Sequence, residues 1–288
     1  MSKIDLIEFA NKKDNYELMY KWCSQDFIYE WFEQRKLSLS EIVEKYKTKL
    51  LNKKQDLFLI NYNGKKIGFV QIYKYNENKI EKLNNYDSIF EYDIFIGESE
   101  YISKGLGTQI VNYVNDYIYN NYLCDCIVLR PFDRNKRAIR CYEKCGFIKI
   151  DEYIGTDTLG NKEKVVVLLN KLDRWTFGID SDNLVKLVLD GKKTATTSLY
   201  ELDNVSKVGD ISILTDSKDK DACFIKTNKV IISEFKNITW DLAKLEGEDK
   251  SLDEWRVNHK KYFNKIDSNF NENTKVIFEL FEVIKKCK

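Results

Sequence analysis

The stretch from Glu91 to Tyr113, EYDIFIGESEYISKGLGTQIVNY, constrains the fold more than any other part of this chain. It begins as an apolar strand, passes through a glycine turn and continues with Ile110, Val114 and Ile118 at helical spacing. Glycines in such a turn leave backbone N–H groups bare beside the positive end of a helix dipole, an arrangement that favours a bound phosphate. The stretch therefore predicts a strand–turn–helix unit with an anion site at its turn.

Hairpins and helices alternate in the first half of the chain. Asn63 and Gly64 join two apolar runs in LFLINYNGKKIGFVQIY, and both residue types tolerate the positive φ that a tight hairpin needs. A strand over CDCIVLR, a helix over RAIRCYEKCGF that ends at Gly146, and a second hairpin over EYIGTDTLGNKEKVVVLL follow. Hairpins mixed with crossover helices predict a mixed β-sheet with helices packed on it.

A second domain is expected after this sheet. Residues 171–174 are predicted to form a short polar linker. The following segment, WTFGIDSDNLVKLVLDGKK, predicts a helix that Asp180 or Ser181 caps and that Gly191 ends. The second half therefore opens with a helix rather than with another strand of the first sheet.

Short strands lie between the helices of the second half. Ser251 and Glu254 predict a capping box at the start of the last of these helices. Strands gathered between helices are typical of a small β-barrel-like domain. The predicted fold class is therefore α+β, with a mixed β-sheet and flanking helices over residues 1–170 and a small β-barrel domain over residues 175–288.

Composition excludes several classes of protein. The chain has 288 residues, of which 43% are hydrophobic and 32% are charged, as is typical of a globular protein. Its net charge of +1 argues against nonspecific binding to nucleic acid. Seven cysteines with a single histidine indicate neither a disulfide framework nor a metal site. Because no signal peptide or apolar membrane span is evident, we expect a cytoplasmic protein with no membrane partner.

Three stretches of the first half, IGFVQIY, FIGESEYISKGLGT and RAIRCYEKCGF, resemble the GCN5-related N-acetyltransferase (GNAT) superfamily in their order and separation. Within that superfamily the chain resembles the aminoglycoside 6′-N-acetyltransferases over roughly residues 15–170. The resemblance implies acetyl-CoA as the cosubstrate, with its pyrophosphate held at the glycine turn by Ser103, Lys104, Gly105, Leu106, Gly107 and Thr108. It also implies that Asn135 and Tyr142 line the far side of the coenzyme.

Transfer of an acetyl group from a thioester to an amine needs a base, because an ammonium has no lone pair. The resemblance makes Asp93, on the strand before the coenzyme turn, the candidate base. Backbone N–H groups near Ile94 and Ile96 are the candidate donors to the carbonyl oxygen, and Tyr142 is the candidate proton donor to the departing thiolate. The alternatives are a solvated edge-strand carboxylate for Asp93 and ordinary helix-face packing for Tyr142.

One position departs from the family's pattern. In the aminoglycoside enzymes the residue before the proline at the following strand end is acidic and faces the cationic substrate, whereas this chain has Arg130 before Pro131. A guanidinium there reverses the local field and is expected to repel a polyamine. Asp133 is the nearby residue that could compensate. The departure leaves acetyl-CoA use intact but weakens the aminoglycoside assignment.

Two stretches of the second half, DGKKTATTSL and LEGEDKSLDEWRVNHKKYF, resemble the ASCH domain, a barrel related to the PUA RNA-binding fold, over about residues 175–288. The resemblance implies that Lys193, Thr196 and Glu248 face one cleft, and some members of that family hydrolyse the acetyl group of N4-acetylcytidine. A desolvated lysine can orient water, and a carboxylate can shuttle a proton. The alternative for the lysine is a cation at a helix C-terminus. His259 lies at helical spacing with large apolar residues, which predicts a packed core edge.

The sequence therefore predicts an acetyl-CoA-dependent N-acetyltransferase fused to an ASCH domain. Its expected substrate is a small amine, with the 6′-amine of an aminoglycoside preferred. The alternative is a protein directed at RNA or a nucleoside, in which the ASCH domain binds the ligand or hydrolyses N4-acetylcytidine. The oligomeric state is left open.

Overall fold

The computed structural model describes residues 3–77, 80–202 and 205–287. The chain folds into two compact units, and the division between them falls between Lys171 and Leu172. Among the described residues, no helix combines the length and the apolar character that a membrane crossing requires.

The first unit is built on one mixed seven-stranded sheet. Its strands are β1 (Ile4–Glu8), β2 (Gln55–Tyr62), β3 (Lys65–Lys74), β4 (Ile89–Ile96), β5 (Cys126–Leu129), β6 (Ile148–Thr156) and β7 (Lys162–Lys171). They lie in the order β1-β2-β3-β4-β5-β7-β6. Only β4 and β5 pair in parallel, and the other neighbours are antiparallel. Both predicted hairpins are confirmed as β2–β3 and β6–β7.

Within the described residues, five α-helices accompany this sheet: α1 (Lys13–Cys23), α2 (Asp26–Tyr29), α3 (Leu39–Asn52), α4 (Leu106–Tyr122) and α5 (Lys136–Glu143). A capping box, in which Ser38 and Glu41 bond reciprocally, starts α3. Helices α1 and α3 cover the β2–β3 hairpin through a shared core that includes Trp22, Tyr46 and Phe69, each fully buried. Burial of such large aromatic side chains fixes both helices on this part of the sheet.

Strands β4 and β5 separate soon after they begin to pair. Their parallel register joins Ile89–Glu91 to Cys126–Val128 and goes no further. On its other side β4 pairs with β3 as far as Ile96. The last five residues of β4, from Tyr92 to Ile96, therefore extend past their pairing with β5. Ligands of open sheets often occupy such an opening at the carboxyl ends of parallel strands.

The described part of the second unit contains a five-stranded sheet with three α-helices. Its strands are β8 (Asp173–Trp175), β9 (Ala195–Leu199), β10 (Ile211–Thr215), β11 (Asp221–Glu234) and β12 (Lys275–Lys286), in the order β8-β10-β11-β12-β9. The helices are α6 (Ser181–Leu189), α7 (Trp240–Ala243) and α8 (Leu252–Ile266). Two register shifts between β11 and β12 curl the sheet into an open half-barrel. The predicted α+β fold class is confirmed.

The segment predicted as a linker, 171–174, is mostly strand. Lys171 is the last residue of β7, and Asp173 is the first residue of β8, where it pairs in parallel with Ser212. The segment is strand rather than loop because its partner strand lies about 40 residues further along the chain, which local polarity does not show.

The helix ends of the second unit agree in position but differ in detail from the sequence expectation. Asp180 precedes α6 at a φ of 45°, and its side chain does not cap the helix. Ser251 caps α8 by accepting from the Glu254 N–H at 3.2 Å. The Glu254 carboxylate accepts instead from the Lys250 N–H at 2.9 Å, so only one half of the predicted capping box forms.

Candidate active site

A cleft of about 750 Å³ lies where β4 and β5 separate. It takes its lining from the end of β4, the turn before α4, helix α2 and the inner side of α5. Several residues singled out from the sequence line it: Asp93, Ile94, Ile96, Ser103, Gly105, Gly107, Thr108, Asn135 and Tyr142. The side chain of Leu106 is 4% exposed and belongs to the core, and Lys104 is exposed. For these two residues, only the backbone N–H groups of the turn, and not the side chains, suit contact with an anion.

The glycine turn before α4 has the backbone of an anion site. Ser103 and Gly105 have φ values of 61° and 76°, and a Cβ at Gly105 would meet nothing within 4 Å. The glycine therefore serves the left-handed backbone rather than a close contact. Helix α4 begins at Leu106 without a side-chain cap and without an acidic residue in its first turn. Its first N–H groups and its dipole therefore suit the binding of an anion.

Positive side chains continue this site along α5. Arg137, Arg140 and Lys144 line the cleft on this side. Asn135 begins the helix, and its side-chain oxygen accepts from the Ala138 N–H at 3.2 Å. Phosphate groups placed at the turn would lie near these cations, which is the charge arrangement that a nucleotide coenzyme requires.

Asp93 is half-buried at the opening between the strands, and two side chains of β3 hold it. Its Oδ2 accepts from the Gln71 amide nitrogen at 2.5 Å and from the Tyr73 hydroxyl at 3.2 Å. The Gln71 carbonyl oxygen in turn accepts from the Lys49 ammonium at 2.5 Å. Sequence analysis missed these partners because no motif marks them, although the β3–β4 register places Gln71 opposite Asp93.

Tyr142 lines the same cleft from α5, and its ring packs on Phe147 with centroids 5.8 Å apart. Burial raises the pKa of the Tyr142 phenol, and the neighbouring negative charge of Asp93 acts in the same direction. The phenol therefore keeps its proton at neutral pH and is available as a donor.

Arg130 lies at the cleft with its charge already paired. Its Nε and Nη2 donate to the two carboxylate oxygens of Glu91 at 2.9 and 2.8 Å, and its Nη1 donates to Glu77 at 2.9 Å. The guanidinium also lies 5.2 Å from the ring centroid of Tyr75. The expected repulsion of a polyamine does not follow, because two carboxylates offset this cation. Asp133, expected to compensate it, is bonded to Lys136 at 2.6 Å instead.

The Glu91 carboxylate beneath Arg130 is only 4% exposed. Burial raises its pKa to about 7, although the hydrogen bonds and charge of Arg130 oppose that rise. The bottom of the cleft therefore holds a carboxyl group whose charge changes near neutral pH.

An aromatic wall closes the other side of the cleft. Phe27 from α2 and Trp31, Phe32 and Phe132 from loops all line it. The Arg134 guanidinium stacks 4.4 Å from the centroid of Trp31. Sequence analysis did not single out these residues, because isolated aromatic side chains outside a motif are more often core than site.

A separate group of buried charges occupies the second unit. Lys193 is 1% exposed, and its ammonium lies 3.1 Å from Glu246 Oε2 and also bonds to Glu248. The structure thus brings together Lys193 and Glu248, as the sequence implied. Thr196 is half-buried on β9, whereas its neighbour Thr197 faces inward and donates to Glu246 at 2.6 Å. The two-residue alternation of a strand is the signal that would have favoured Thr197.

Glu246 is the centre of this group, and sequence analysis did not name it. The indole N–H of Trp255 donates to it at 3.0 Å, and the Nε2 atom of His259 lies 3.4 Å from it. Although burial favours the neutral acid, the charges of Lys193 and His259 lower the pKa of Glu246 to about 2. His259 stacks on Trp255 with centroids 4.2 Å apart, and its contact with Glu246 raises its pKa despite burial. Its predicted packed position therefore also places it beside a buried carboxylate.

No metal site accompanies either group. Across the described ranges, no three His, Cys, Asp or Glu side chains are arranged to hold a metal ion.

Comparisons with known proteins match both halves. The model of the acetyltransferase (GNAT) domain matches residues 11–154, and the model of the ASCH domain matches residues 173–285. The aminoglycoside N(6′)-acetyltransferase type 1 of Klebsiella pneumoniae is 28% identical over 142 residues, which is 45% of this chain and 67% of that protein. A kanamycin resistance protein of Rhizobium radiobacter is 38% identical over 55 residues, covering 19% of this chain and 51% of that protein.

Solved structures share the fold of the first unit. The structure of AAC(6′)-Ib in complex with paromomycin and acetyl-CoA has a TM-score of 0.50 and 23% identity, covering 59% of this chain and 93% of that chain. An uncharacterised protein of Bacillus halodurans has a TM-score of 0.51 and 18% identity, covering 59% of this chain and 84% of that chain. Since the GNAT model matches half of the sequence, the chain belongs to the GNAT acetyltransferases, and its second half carries an ASCH domain.

Proposed function

We propose that this protein transfers the acetyl group of acetyl-CoA to a primary amine of a small cationic molecule, and that the 6′-amine of an aminoglycoside is the preferred acceptor. The observation that carries the proposal is the position of Asp93, a carboxylate held by two donors beside a glycine turn suited to phosphates. Relatives in Klebsiella pneumoniae and Rhizobium radiobacter, named for aminoglycoside acetylation and kanamycin resistance, support the acceptor class.

The coenzyme fits the cleft at both ends. The N–H groups at the start of α4, together with Arg137 and Arg140, suit its phosphates. The part of β4 from Tyr92 to Ile96 extends past β5 and offers backbone groups to the amide-rich arm of the coenzyme. Ile94 and Ile96 would donate from this strand to the thioester carbonyl.

Asp93 and Tyr142 would carry the protons of the transfer. Asp93 accepts a proton from the acceptor ammonium, directly or through water, and so frees the lone pair that attacks the thioester carbon. The new C–N bond forms as the C–S bond breaks, and Tyr142 gives its proton to the departing thiolate. The attacking nitrogen then loses its second proton, through water, to the Tyr142 phenolate, and Asp93 releases the first proton to solvent. The products are a neutral amide, the CoA thiol and one proton, and both side chains return to their starting states.

The acceptor side suits a molecule with both charge and a carbon framework. Arg130 is offset by Glu91 and Glu77, which leaves the carboxylate of Asp93 to attract an ammonium group. The aromatic wall of Phe27, Trp31, Phe32 and Phe132 offers ring faces on which a sugar or another carbon ring can stack.

Thiol release from acetyl-CoA, measured over a panel of amines, tests the proposal. The panel contains aminoglycosides with and without a free 6′-amine, linear polyamines and cytidine. We expect turnover with the 6′-amino compounds, and we expect Asp93→Asn to lower kcat by about 10²- to 10⁴-fold with unchanged acetyl-CoA binding. Asp87→Asn, which changes an exposed carboxylate before β4, is the matched control. Equal loss of turnover and coenzyme binding in Asp93→Asn would contradict the base assignment.

A second function is proposed for the ASCH domain, because Lys193 is 1% exposed and its ammonium bonds to Glu248, a residue of the expected cleft. Buried charges of this kind can orient water or a nucleoside amide. Release of acetate from N4-acetylcytidine without CoA, lost in Glu248→Gln, is the expected result for a hydrolase. An RNA-binding role predicts instead an affinity that falls steeply with salt and is weakened on changing Lys192, which is exposed, whereas Lys193 is buried.

A further inference from the structure

The carboxylate of Asp93 stands at the end of a line of hydrogen bonds that starts on helix α3. The Lys49 ammonium donates to Gln71 Oε1 at 2.5 Å, and Gln71 Nε2 donates to Asp93 Oδ2 at 2.5 Å. Gln71 is 6% exposed, so water does not compete with either bond. We propose that Lys49 is a positioning residue for the acetyl transfer, acting on Asp93 through the Gln71 amide; this inference rests on the proposed function.

The physical reason lies in the two ends of the glutamine amide. An amide can present either its oxygen or its NH₂ group to a neighbour, and the two orientations have nearly the same shape. A lysine ammonium only donates, so Lys49 fixes the oxygen of Gln71 on its own side. The NH₂ group must then face Asp93. Without Lys49 the amide could reverse and place its oxygen against the carboxylate, which would repel the base from its working position.

Tyr73 restrains the Asp93 carboxylate on the same side as Gln71 does. Its hydroxyl donates to the same Oδ2 atom of Asp93 as Gln71 does, at 3.2 Å. Two donors on one oxygen fix the carboxylate in rotation and direct its other oxygen away from them. A base fixed in this way holds a reacting amine in one geometry, and misplacement of reacting groups by about 1 Å can lower a rate about 100-fold.

Lys49 is itself poised to lose its charge. Burial lowers its pKa to about 8, with Lys45 acting in the same direction and Asp93 and Glu33 opposing it. The titratable and charged groups whose fields reach Asp93 come from four elements: Tyr73 on β3, Glu91 on β4, Tyr46 and Lys49 on α3, and Tyr142 on α5. The hydrogen bond by which Lys49 fixes the Gln71 amide should therefore weaken as pH rises through about 8.

Steady-state kinetics on the full chain tests the role. We expect Lys49→Met to lower kcat about 10- to 100-fold with little change in the KM for acetyl-CoA, since the coenzyme turn is untouched. Lys49→Arg should recover most of the activity, because a guanidinium also only donates. Lys47→Met, two residues away on the exposed side of α3, should behave as the unchanged protein. A kcat within twofold of the unchanged protein in Lys49→Met would overturn the inference.

A pH series separates positioning from mere packing. With the same acceptor throughout, its own ionisation cancels in the ratio of the two kcat values. The ratio of the unchanged protein to Lys49→Arg should fall as pH rises past about 8, because only the lysine loses its charge there. A ratio that stays constant from pH 6 to pH 9 would contradict the role.

A titration that needs no acceptor keeps this inference separate from the proposed function. The ¹³Cε resonance of Lys49 can be assigned by its absence in Lys49→Met and followed with pH. Since the charge of Asp93 raises the pKa of Lys49, the midpoint should be lower in Asp93→Asn than in the unchanged protein. If no amine is turned over, the proposed function fails, but this titration still shows whether Lys49 and Asp93 interact. Identical midpoints would show that the two groups do not interact.

Discussion

Removal of Arg130 should destabilise the first unit in a way that depends on pH. The guanidinium donates to both oxygens of Glu91, at 2.9 and 2.8 Å, and the two side chains are 18% and 5% exposed. Breaking one partner of a buried ion pair leaves the other charge unpaired, which costs about 3–5 kcal/mol. The full cost applies only where Glu91 stays charged; because the unpaired Glu91 can take up a proton instead, we expect Arg130→Met to lower the free energy of unfolding by about 1–2 kcal/mol at pH 8.

The dependence on pH follows from Glu91. Its pKa is already raised to about 7 by burial with Arg130 in place, and it must rise further once the guanidinium is gone. A carboxyl group whose folded-state pKa lies above the unfolded value stabilises the fold at low pH, and that stability is lost as pH rises through the folded-state pKa. Near pH 5 Glu91 is neutral in both proteins. The deficit of Arg130→Met should therefore be small at pH 5, grow as pH rises past about 7, and be complete only above the still higher pKa of Glu91 in the variant.

Urea unfolding at pH 5.5 and pH 8, followed by circular dichroism, measures both quantities. Val70→Ala, which truncates a fully buried side chain of β3, identifies the transition of the first unit by shifting it. The double variant Arg130→Met/Glu91→Leu should recover most of the loss, because apolar residues of similar volume can replace a buried pair at little cost. Equal losses at the two pH values, or no recovery in the double variant, would refute the reasoning.

Three further outcomes are expected. Gly105→Val should weaken CoA binding in a calorimetric titration, whereas Gly160→Val, with a similar positive φ in the β6–β7 turn, should be destabilised but bind CoA normally. Iodoacetamide should modify Cys141 before the other thiols, because a hydrogen bond from Cys145 lowers the pKa of Cys141. Since Cys141 lines the cleft, CoA should slow this reaction, which mass spectrometry measures. Glu246→Gln should lower the unfolding free energy of the second unit by about 3 kcal/mol, measured in urea.

Local chemistry made much of the first unit predictable. The hairpin at Asn63 and Gly64 follows from two residues that take φ values of 51° and 85°. The start of α4 follows from Gly105 and the apolar spacing after it. In each case the residues that decide the structure are neighbours in sequence. The sheet type also follows, since hairpins and a crossover helix leave few arrangements open.

Distant partners explain what the sequence did not predict. Arg130 was expected to repel a polyamine, but its partners Glu91 and Glu77 stand 39 and 53 residues before it. The Lys49–Gln71–Asp93 line likewise joins α3, β3 and β4 in steps of 22 residues each. Which charges cancel is decided by the packing of these elements, and a residue's sign alone does not determine it.

The two ends of the cleft therefore differ in how far the sequence alone predicts them. The proposed coenzyme end would use backbone N–H groups, and glycines such as Gly105 indicate in the sequence where a helix starts without a side-chain cap. The acceptor end relies on side chains whose charges are set by tertiary partners, as at Asp93 and Arg130. A motif can thus identify the donor of the acetyl group while the acceptor has to be inferred from the folded site. Because Glu91 and Glu77 offset the charge of Arg130, an amine acceptor is again consistent with the motif, and these contacts are visible only in the folded structure.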